Sequence, residues 1–256
     1  MKIFITGASG GIGEAFARYY VQRYQGCELG LHGRREPALN ALAQSLGGRC
    51  SIYPCDVRDT QAMQAAGEAF LSRHGGADLV IASAGVSAGT ATERSEDAEV
   101  FREVFDTNVL GMVNTFQAFL PSMLQAKAGK LVGIASVAGF RGLPGSSAYS
   151  ASKSAAISYL ESLRVELRSM GVKVVTLCPG YIDTPMTKRN PYPMPFLLDA
   201  GEAARRMARC IDRDARLAVV PWQMAAVGAL LRVLPDSVYD RLFARAPRKP
   251  RRTRAC

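Results

Sequence analysis

The sequence predicts an α/β fold in which a mostly parallel sheet carries helices on both faces. Three observations lead there. Short apolar runs alternate with segments of helical period along most of the chain, which is the pattern of repeated strand–helix units. Continuous runs such as LVIASA at 79–84 suit strands buried on both sides. The first apolar run ends in a glycine-rich turn that opens the first helical segment. The chain has 256 residues, 48% hydrophobic and 21% charged, an ordinary balance for one large domain with a filled core.

Taken in order, the strands are expected at 2–6, 27–33, 50–55, 78–83, 130–135, 172–178 and 217–220. Helical spacing occupies 12–24, 37–46, 60–73, 97–126 and 149–169. The segment 187–196, TKRNPYPMPF, has three prolines in six residues and reads as a loop or lid beside a site, or as a plain connector. A further helix follows, capped by Asp199 with Glu202 at capping-box spacing. Beyond Pro221 the chain changes character: WQMAAVGALLRVLP is apolar for about ten residues, too short to span a bilayer. Residues 1–222 therefore read as one domain, and 223–256 as an apolar helix with a basic tail whose last ten residues are structureless.

The net charge of +10 is concentrated in that tail, since residues 241–256 hold seven Arg or Lys and no acid. Six cysteines show no C-x-x-C pair and are expected as reduced thiols. His32 and His74 lie far apart without a metal-ligand pattern and read as surface or strand-end residues. The N-terminus starts structure at once, with no secretory leader pattern, which points to a cytoplasmic protein.

The turn TGASGGIG places Gly7, Gly11 and Gly13 between the first strand and the first helix. Backbone free of side-chain bulk, followed by the unpaired N–H groups of a helix N-terminus, suits a pyrophosphate. The second strand ends GLHGRR. A dinucleotide fold commonly has an acid there for the ribose hydroxyls, whereas here Gly33 is followed by Arg34 and Arg35. Guanidinium groups suit a 2′-phosphate, so NADP(H) is expected in preference to NAD(H).

In AYSASKSAAI, Tyr149 precedes Lys153 by one helical turn. On spacing alone that is a surface contact. Other motifs give it a second meaning. TGASGGIG, CDV with Asp56, ASAG at 82–85, NVLG at 108–111, IASVAG with Ser136, YSASK, and PGYIDT at 179–184 occur in order. With them the chain resembles the classical short-chain dehydrogenase/reductase family over roughly residues 1–222. The resemblance implies a single-domain, Rossmann-like, doubly wound fold with a seven-stranded sheet, a nicotinamide cofactor and a homodimer or homotetramer. It implies catalytic roles for Asn108, Ser136, Tyr149 and Lys153. Tyr149 would be the general acid or base, Lys153 would lower its pKa and hold the nicotinamide ribose, Ser136 would position the substrate carbonyl, and Asn108 would join a water to Lys153. Cofactor contacts are implied for Gly7, Ser9, Gly11, Ile12, Gly13, Arg34, Arg35, Asp56, Val57, Ala84, Gly85, Tyr149, Lys153, Pro179, Gly180, Ile182 and Thr184. The family's NNAG stands here as ASAG, so Ala82 and Ser83 bring no side-chain amides.

The function expected is an NADPH-dependent reductase acting on a ketone or aldehyde, reversible to alcohol oxidation. Met186, Tyr192, Met194, Phe196 and Leu197 favour an apolar small-molecule substrate. A non-catalytic NADP(H)-binding interaction or sensor protein is the alternative. Epimerase or dehydratase chemistry on nucleotide sugars would need a larger C-terminal domain. The segment 223–256 could pack subunits or touch an anionic membrane; nucleic acid is not expected, because no reading module accompanies the charge.

Overall fold

The computed structural model describes residues 1–251. Its strands are β1 (Lys2–Thr6), β2 (Glu28–Gly33), β3 (Cys50–Pro54), β4 (Leu79–Ala82), β5 (Lys130–Ile134), β6 (Lys173–Pro179) and β7 (Leu217–Val220). They form one seven-stranded sheet in the order β3-β2-β1-β4-β5-β6-β7, every pair parallel. The order reverses between β1 and β4, so the crevice at the C-terminal ends of those strands is where such a sheet receives a ligand.

Alternation along the strands builds a core on each face. Ile3 and Ile5 of β1, with Leu29 and Leu31 of β2, point to the side covered by α1 (Gly11–Arg23), α2 (Glu36–Ser45) and α8 (Ala200–Asp212). Phe4, Val80, Leu131 and Val174 point to the other side, under α3 (Thr60–His74), α5 (Gly111–Gln117), α6 (Leu120–Ala126) and α7 (Ser147–Glu166). Phe4 is fully buried there, its ring centroid 4.6 Å from that of Phe119 and 5.4 Å from that of Phe70.

Several expectations need correction. The helix expected over 97–126 is divided. It runs as α4 (Asp97–Phe105), continues as a π-helical turn over Asp106–Leu110, resumes as α5, and restarts as α6 at a proline. A π turn carries one extra residue per turn and shifts the side chains that follow it. His32 is near a strand end, as one of its two readings had it, but not at the surface. It is 1% exposed inside β2, with Nε2 3.1 Å from Cys55 Sγ, and burial pushes its imidazole down to about 4. His74 closes α3 against Glu28 at 2.9 Å. Asp199 caps α8 as expected, accepting from the Gly201 and Glu202 amides, but the Glu202 carboxylate turns to Arg205 and Arg206 and makes no return arm of a capping box. The proline-rich loop contains one short 3-10 turn, Thr187–Arg189. The five described cysteines are free thiols.

The C-terminal expectation fails in part. Past β7 come two helices, α9 (Trp222–Val233) and α10 (Asp236–Phe243). They are fastened over the loop after β5: Arg141 donates to the Leu231 and Leu234 carbonyls and pairs with Asp236, and Tyr239 donates to the Gly142 carbonyl. The chain beyond α10 was expected to lack structure, yet residues 248–251 lie against the body of the domain. Arg251 pairs with Glu96 and Asp97, and Gly89 N donates to the Pro250 carbonyl. Long-range ion pairs outweigh the local Pro and Arg composition here. Residues 252–256 of the expected disordered tail fall outside the described residues. Among the described residues no helix is long and apolar enough to cross a membrane.

Candidate active site

The glycine turn after β1 is closed tightly. A Cβ on Gly7, which has φ +69°, would lie 2.8 Å from Ala84 Cα, and one on Gly13 would lie 2.4 Å from the Gly7 carbonyl oxygen. Only glycine admits this packing of α1 against the turn. Gly10, at the N-cap of α1, offers no side-chain cap, so the first amides of the helix have no side-chain partner. Gly11, with φ +59°, stands beside Thr184, whose Cγ2 would be 3.6 Å from a Cβ there. A bare helix N-terminus at the sheet's reversal point, floored by backbone, fits the pyrophosphate of a dinucleotide. Ile12 packs on the core below it.

The rim of this turn is cationic. Arg35 Nη2 donates to the Ser9 carbonyl at 2.6 Å, and a Cβ on Gly33 would lie 3.1 Å from Ser9 Oγ. Arg34 is 3.8 Å from Asp56, and Arg58, which sequence reasoning missed, holds the same carboxylate at 2.7 Å. Burial would raise the Asp56 carboxyl, but the Arg58 and Arg34 guanidiniums keep it below the usual range. Asp56 is therefore also a turn residue, accepting from the Arg58 amide at 3.0 Å. Val57 is buried beside it, its carbonyl accepting from Asn114 at 2.9 Å.

The turn after β4 lacks the expected side-chain amides but is held another way. The hydroxyl of buried Thr6 accepts from the Ser83 and Ala84 amides at 3.1 and 3.2 Å. That contact fixes Ala84 and Gly85 at the edge of the crevice. A Cβ on Gly85 would meet Asn108 Oδ1 at 3.2 Å and Lys153 Nζ at 3.7 Å, so those two side chains flank the glycine.

Asn108 sits in the π turn and is fully buried. Its Oδ1 accepts from Val86 N at 2.8 Å, and its Nδ2 donates to the Val86 carbonyl and to Ser152 Oγ, both at 3.0 Å. Ser152 Oγ in turn donates to the Tyr149 carbonyl at 2.8 Å. The asparagine thus ties the loop after β4 to the helix that carries Tyr149 and Lys153. Ser152 was another unforeseen member.

Ser136 stands just past β5 and accepts from the Ala138 amide at 3.1 Å, capping a short turn. Tyr149 and Lys153 project from the first turns of α7. Burial raises the Tyr149 phenol above its ordinary value, and the Ser136 side chain beside it pulls the other way. The expected lowering by Lys153 is not what dominates. The Lys153 ammonium lies 5.8 Å from the centre of the Tyr149 ring and donates to the Ile134 carbonyl at 2.7 Å. Lys153 is 5% exposed, and burial pushes its own pKa down to about 8.

The end of β6 closes the other side. Pro179 offers its carbonyl to Ser136 Oγ at 3.4 Å, and Gly180 N donates to the Val220 carbonyl at 2.8 Å. Ile182 is buried against the core, and Thr184 exchanges hydrogen bonds with Thr187. Tyr192, from the proline-rich loop, lies 6.5 Å from the Tyr181 ring and feels the Tyr149 phenol; burial pushes its own hydroxyl up to about 12. The structure thus gathers the expected residues along one edge of the sheet, with the glycine turn, the arginines and Thr184 on one side and Asn108, Ser136, Tyr149 and Lys153 on the other.

The chain is similar to known proteins. The family model for short chain dehydrogenase matches residues 1–193. An uncharacterized oxidoreductase of Myxococcus xanthus is 40% identical over 239 residues, covering 92% of this chain and 93% of that protein. The 3-oxoacyl-[acyl-carrier-protein] reductase of Chlamydia muridarum is 32% identical over 72% of this chain and 75% of its own. A short chain dehydrogenase/reductase from Burkholderia phymatum, solved in complex with NAD, superposes with a TM-score of 0.81 at 27% identity, covering 98% of both chains. With the family model matching residues 1–193 and a relative 40% identical over 92% of the chain, this chain belongs to the short-chain dehydrogenase family and is an NAD(P)-dependent oxidoreductase acting on CH–OH or C=O groups.

Proposed function

We propose that this oxidoreductase reduces a ketone or aldehyde, with NADPH preferred over NADH and an apolar substrate body. The observation that carries the reading is the convergence of Ser136, Tyr149 and Lys153 at the sheet edge, beside a bare helix N-terminus. A bound nicotinamide supplies hydride to the carbonyl carbon or accepts it from the alcohol. What the chain must add is orientation and a proton.

Ser136 is placed to donate to the carbonyl oxygen and fix its position. Tyr149 is the proton donor. Burial keeps its phenol protonated at neutral pH, the form a reductase needs. As the proton leaves, the phenolate that forms is stabilised by the nearby Lys153 ammonium. Lys153 has spent one donor on Ile134, which leaves N–H groups for a ribose hydroxyl. Asn108 acts as the brace of this group through Val86 and Ser152. Gly7, Ser9, Gly11, Ile12 and Gly13 would cradle the pyrophosphate. Asp56 and Val57 would border the adenine, and Ala84, Gly85, Pro179, Gly180, Ile182 and Thr184 the nicotinamide half.

The cofactor preference rests on Arg34 and Arg35, which stand at the rim with no acid at Gly33. The apolar preference rests on half-exposed Phe196 and Leu197 and on Tyr192 near Tyr149. The free thiols fit a reducing compartment such as the cytoplasm. A homodimer or homotetramer fits the exposed apolar face of α9, where Trp222, Leu230 and Val233 are 72%, 59% and 76% exposed. Membrane contact loses support, because Arg251 of the basic tail is paired with Glu96 and Asp97 on the chain's own surface.

The test is a panel of ketones, aldehydes and acyl-thioester ketones with NADPH and with NADH. Turnover with NADPH at higher kcat/KM supports the proposal. Cofactor binding without turnover of any carbonyl would favour the interaction or sensor reading instead.

A further inference from the structure

The C-terminal segment lies beside Tyr149. Residues 248–251 run between two loops that border Tyr149, the one after β4 and the one after β5. Arg248 packs on Gly145, where a Cβ would lie 2.7 Å from the arginine Cβ. Gly89 N donates to the Pro250 carbonyl at 3.1 Å, and Gly89 forms a parallel bridge with Arg251. A side chain at Gly89 would put its Cβ 2.2 Å from the Lys249 carbonyl oxygen, so this close approach needs glycine. The far end is locked by Arg251. It reaches both oxygens of Asp97, at 2.8 and 2.9 Å, and Glu96 at 3.0 Å. Asp97 is 5% exposed and also accepts from the Ala91 amide at 2.8 Å. A two-point guanidinium–carboxylate contact of this kind fixes direction as well as position.

The strap delivers Lys249 to Tyr149. Its ammonium stands 5.4 Å from the centre of the Tyr149 ring and donates to Ser87 Oγ at 2.5 Å. Among the described residues no carboxylate pairs with it, and Ser87 is neutral. A partly buried ammonium with one neutral partner is an incomplete arrangement, because taking it out of water costs free energy that an anion would offset. The ammonium thus stands within reach of a group bound beside the Tyr149 ring.

We propose that the strap 248–251 completes the substrate site in cis, and that Lys249 is a specificity-determining residue receiving an anionic group on the carbonyl substrate. The inference rests on the reading of Tyr149 as the proton donor. It makes the substrate two-ended, with an apolar body along Tyr192, Phe196 and Leu197 and an acidic group held at Lys249. Cationic substrates would be repelled.

The test is equilibrium binding, so that it does not depend on turnover. Full-length protein saturated with the nicotinamide cofactor is titrated calorimetrically with octanoate and with octanamide, matched probes that differ in charge. The expected result is octanoate binding about tenfold tighter or more, the range of a hydrogen bond to a charged group. Lys249→Met should bring the two affinities to within about twofold, and Lys249→Arg should restore the preference. Gly89→Val, which displaces the strap without altering charge, should act like Lys249→Met. Equal affinities in the wild type would overturn the proposal, as would a preference that survives Lys249→Met. Tighter binding of both probes in Lys249→Met and Gly89→Val would also overturn it, by making the strap an obstruction. If no carbonyl is turned over, the reductase reading falls on that result alone, and the octanoate-to-octanamide ratio still decides the role of Lys249.

Discussion

Replacing Lys153 by methionine should stabilise the cofactor-free protein at neutral pH, and the gain should fade as the solution becomes alkaline. Burial lowers the Lys153 pKa from 10.5 to about 8. The folded-state value lies below the unfolded one, so between about pH 8 and pH 10.5 the unfolded chain binds more protons than the native protein at this position. Wild-type stability contributed by this group therefore rises with pH across that window. Below it both states are charged and the full burial penalty applies. At roughly 1.4 kcal/mol per pH unit the penalty is about 3 kcal/mol. Methionine has nearly the same length and carries no charge, but it forfeits the ammonium's hydrogen bond to the Ile134 carbonyl, worth about 1.5–3 kcal/mol. The net gain at pH 7 is then on the order of 1 kcal/mol. The pH dependence of the difference is the sharper quantity. Urea unfolding of both proteins from pH 7 to pH 10.5 should show the advantage of the variant falling by about 3 kcal/mol, and taking the difference cancels the tyrosines and thiols that titrate in the same range. A difference independent of pH would refute the reasoning and place the Lys153 ammonium in a solvated setting.

Three further outcomes follow from particular contacts. Arg34→Ala should weaken NADPH binding by about tenfold or more while leaving NADH within about twofold, measured by fluorescence titration; equal losses would remove the 2′-phosphate from its role. Gly13→Ala should cost about 1–3 kcal/mol and most of the cofactor affinity, because the new methyl meets the Gly7 carbonyl oxygen at 2.4 Å; an unchanged melting temperature and cofactor affinity would contradict the tight turn. Leu230→Glu, at a position 59% exposed on α9, should shift the protein to a smaller species in size-exclusion chromatography with light scattering; an unshifted mass would remove α9 from the subunit contact.

The sheet was legible because its strands are short and apolar and end at glycine or polar turns. The expected runs 2–6, 130–135 and 217–220 differ from β1, β5 and β7 by at most one residue at an end. The residues of the site were legible through the order of motifs, which places Ser136, Tyr149 and Lys153 on one edge without any knowledge of packing. What was not legible depends on contacts distant in sequence. Apolar periodicity continues through 97–126, so nothing local marks the π turn that holds Asn108. His32 does stand near the end of β2, but its burial beside β3 and the Phe4 ring is not marked locally. Thr6 replaces the missing amides of the family's usual turn through a hydroxyl from a different strand. The tail is the largest miss: RAPRKPRR has the composition of a solvated end, and only the buried carboxylate of Asp97, more than 150 positions earlier, explains why Arg251 docks. The Tyr149 phenol shows the same limit in electrostatics. Its spacing from Lys153 points to a lowered pKa, whereas enclosure by the fold reverses the direction.

The most direct test of the account is Tyr149→Phe. It removes one hydroxyl and leaves the ring beside Lys153 and Lys249. On a carbonyl that the wild-type protein reduces, kcat should fall by about a hundredfold or more, the usual scale of general acid catalysis, while NADPH affinity stays within about twofold. Wild-type turnover in the variant would contradict the assignment of Tyr149 as the proton donor.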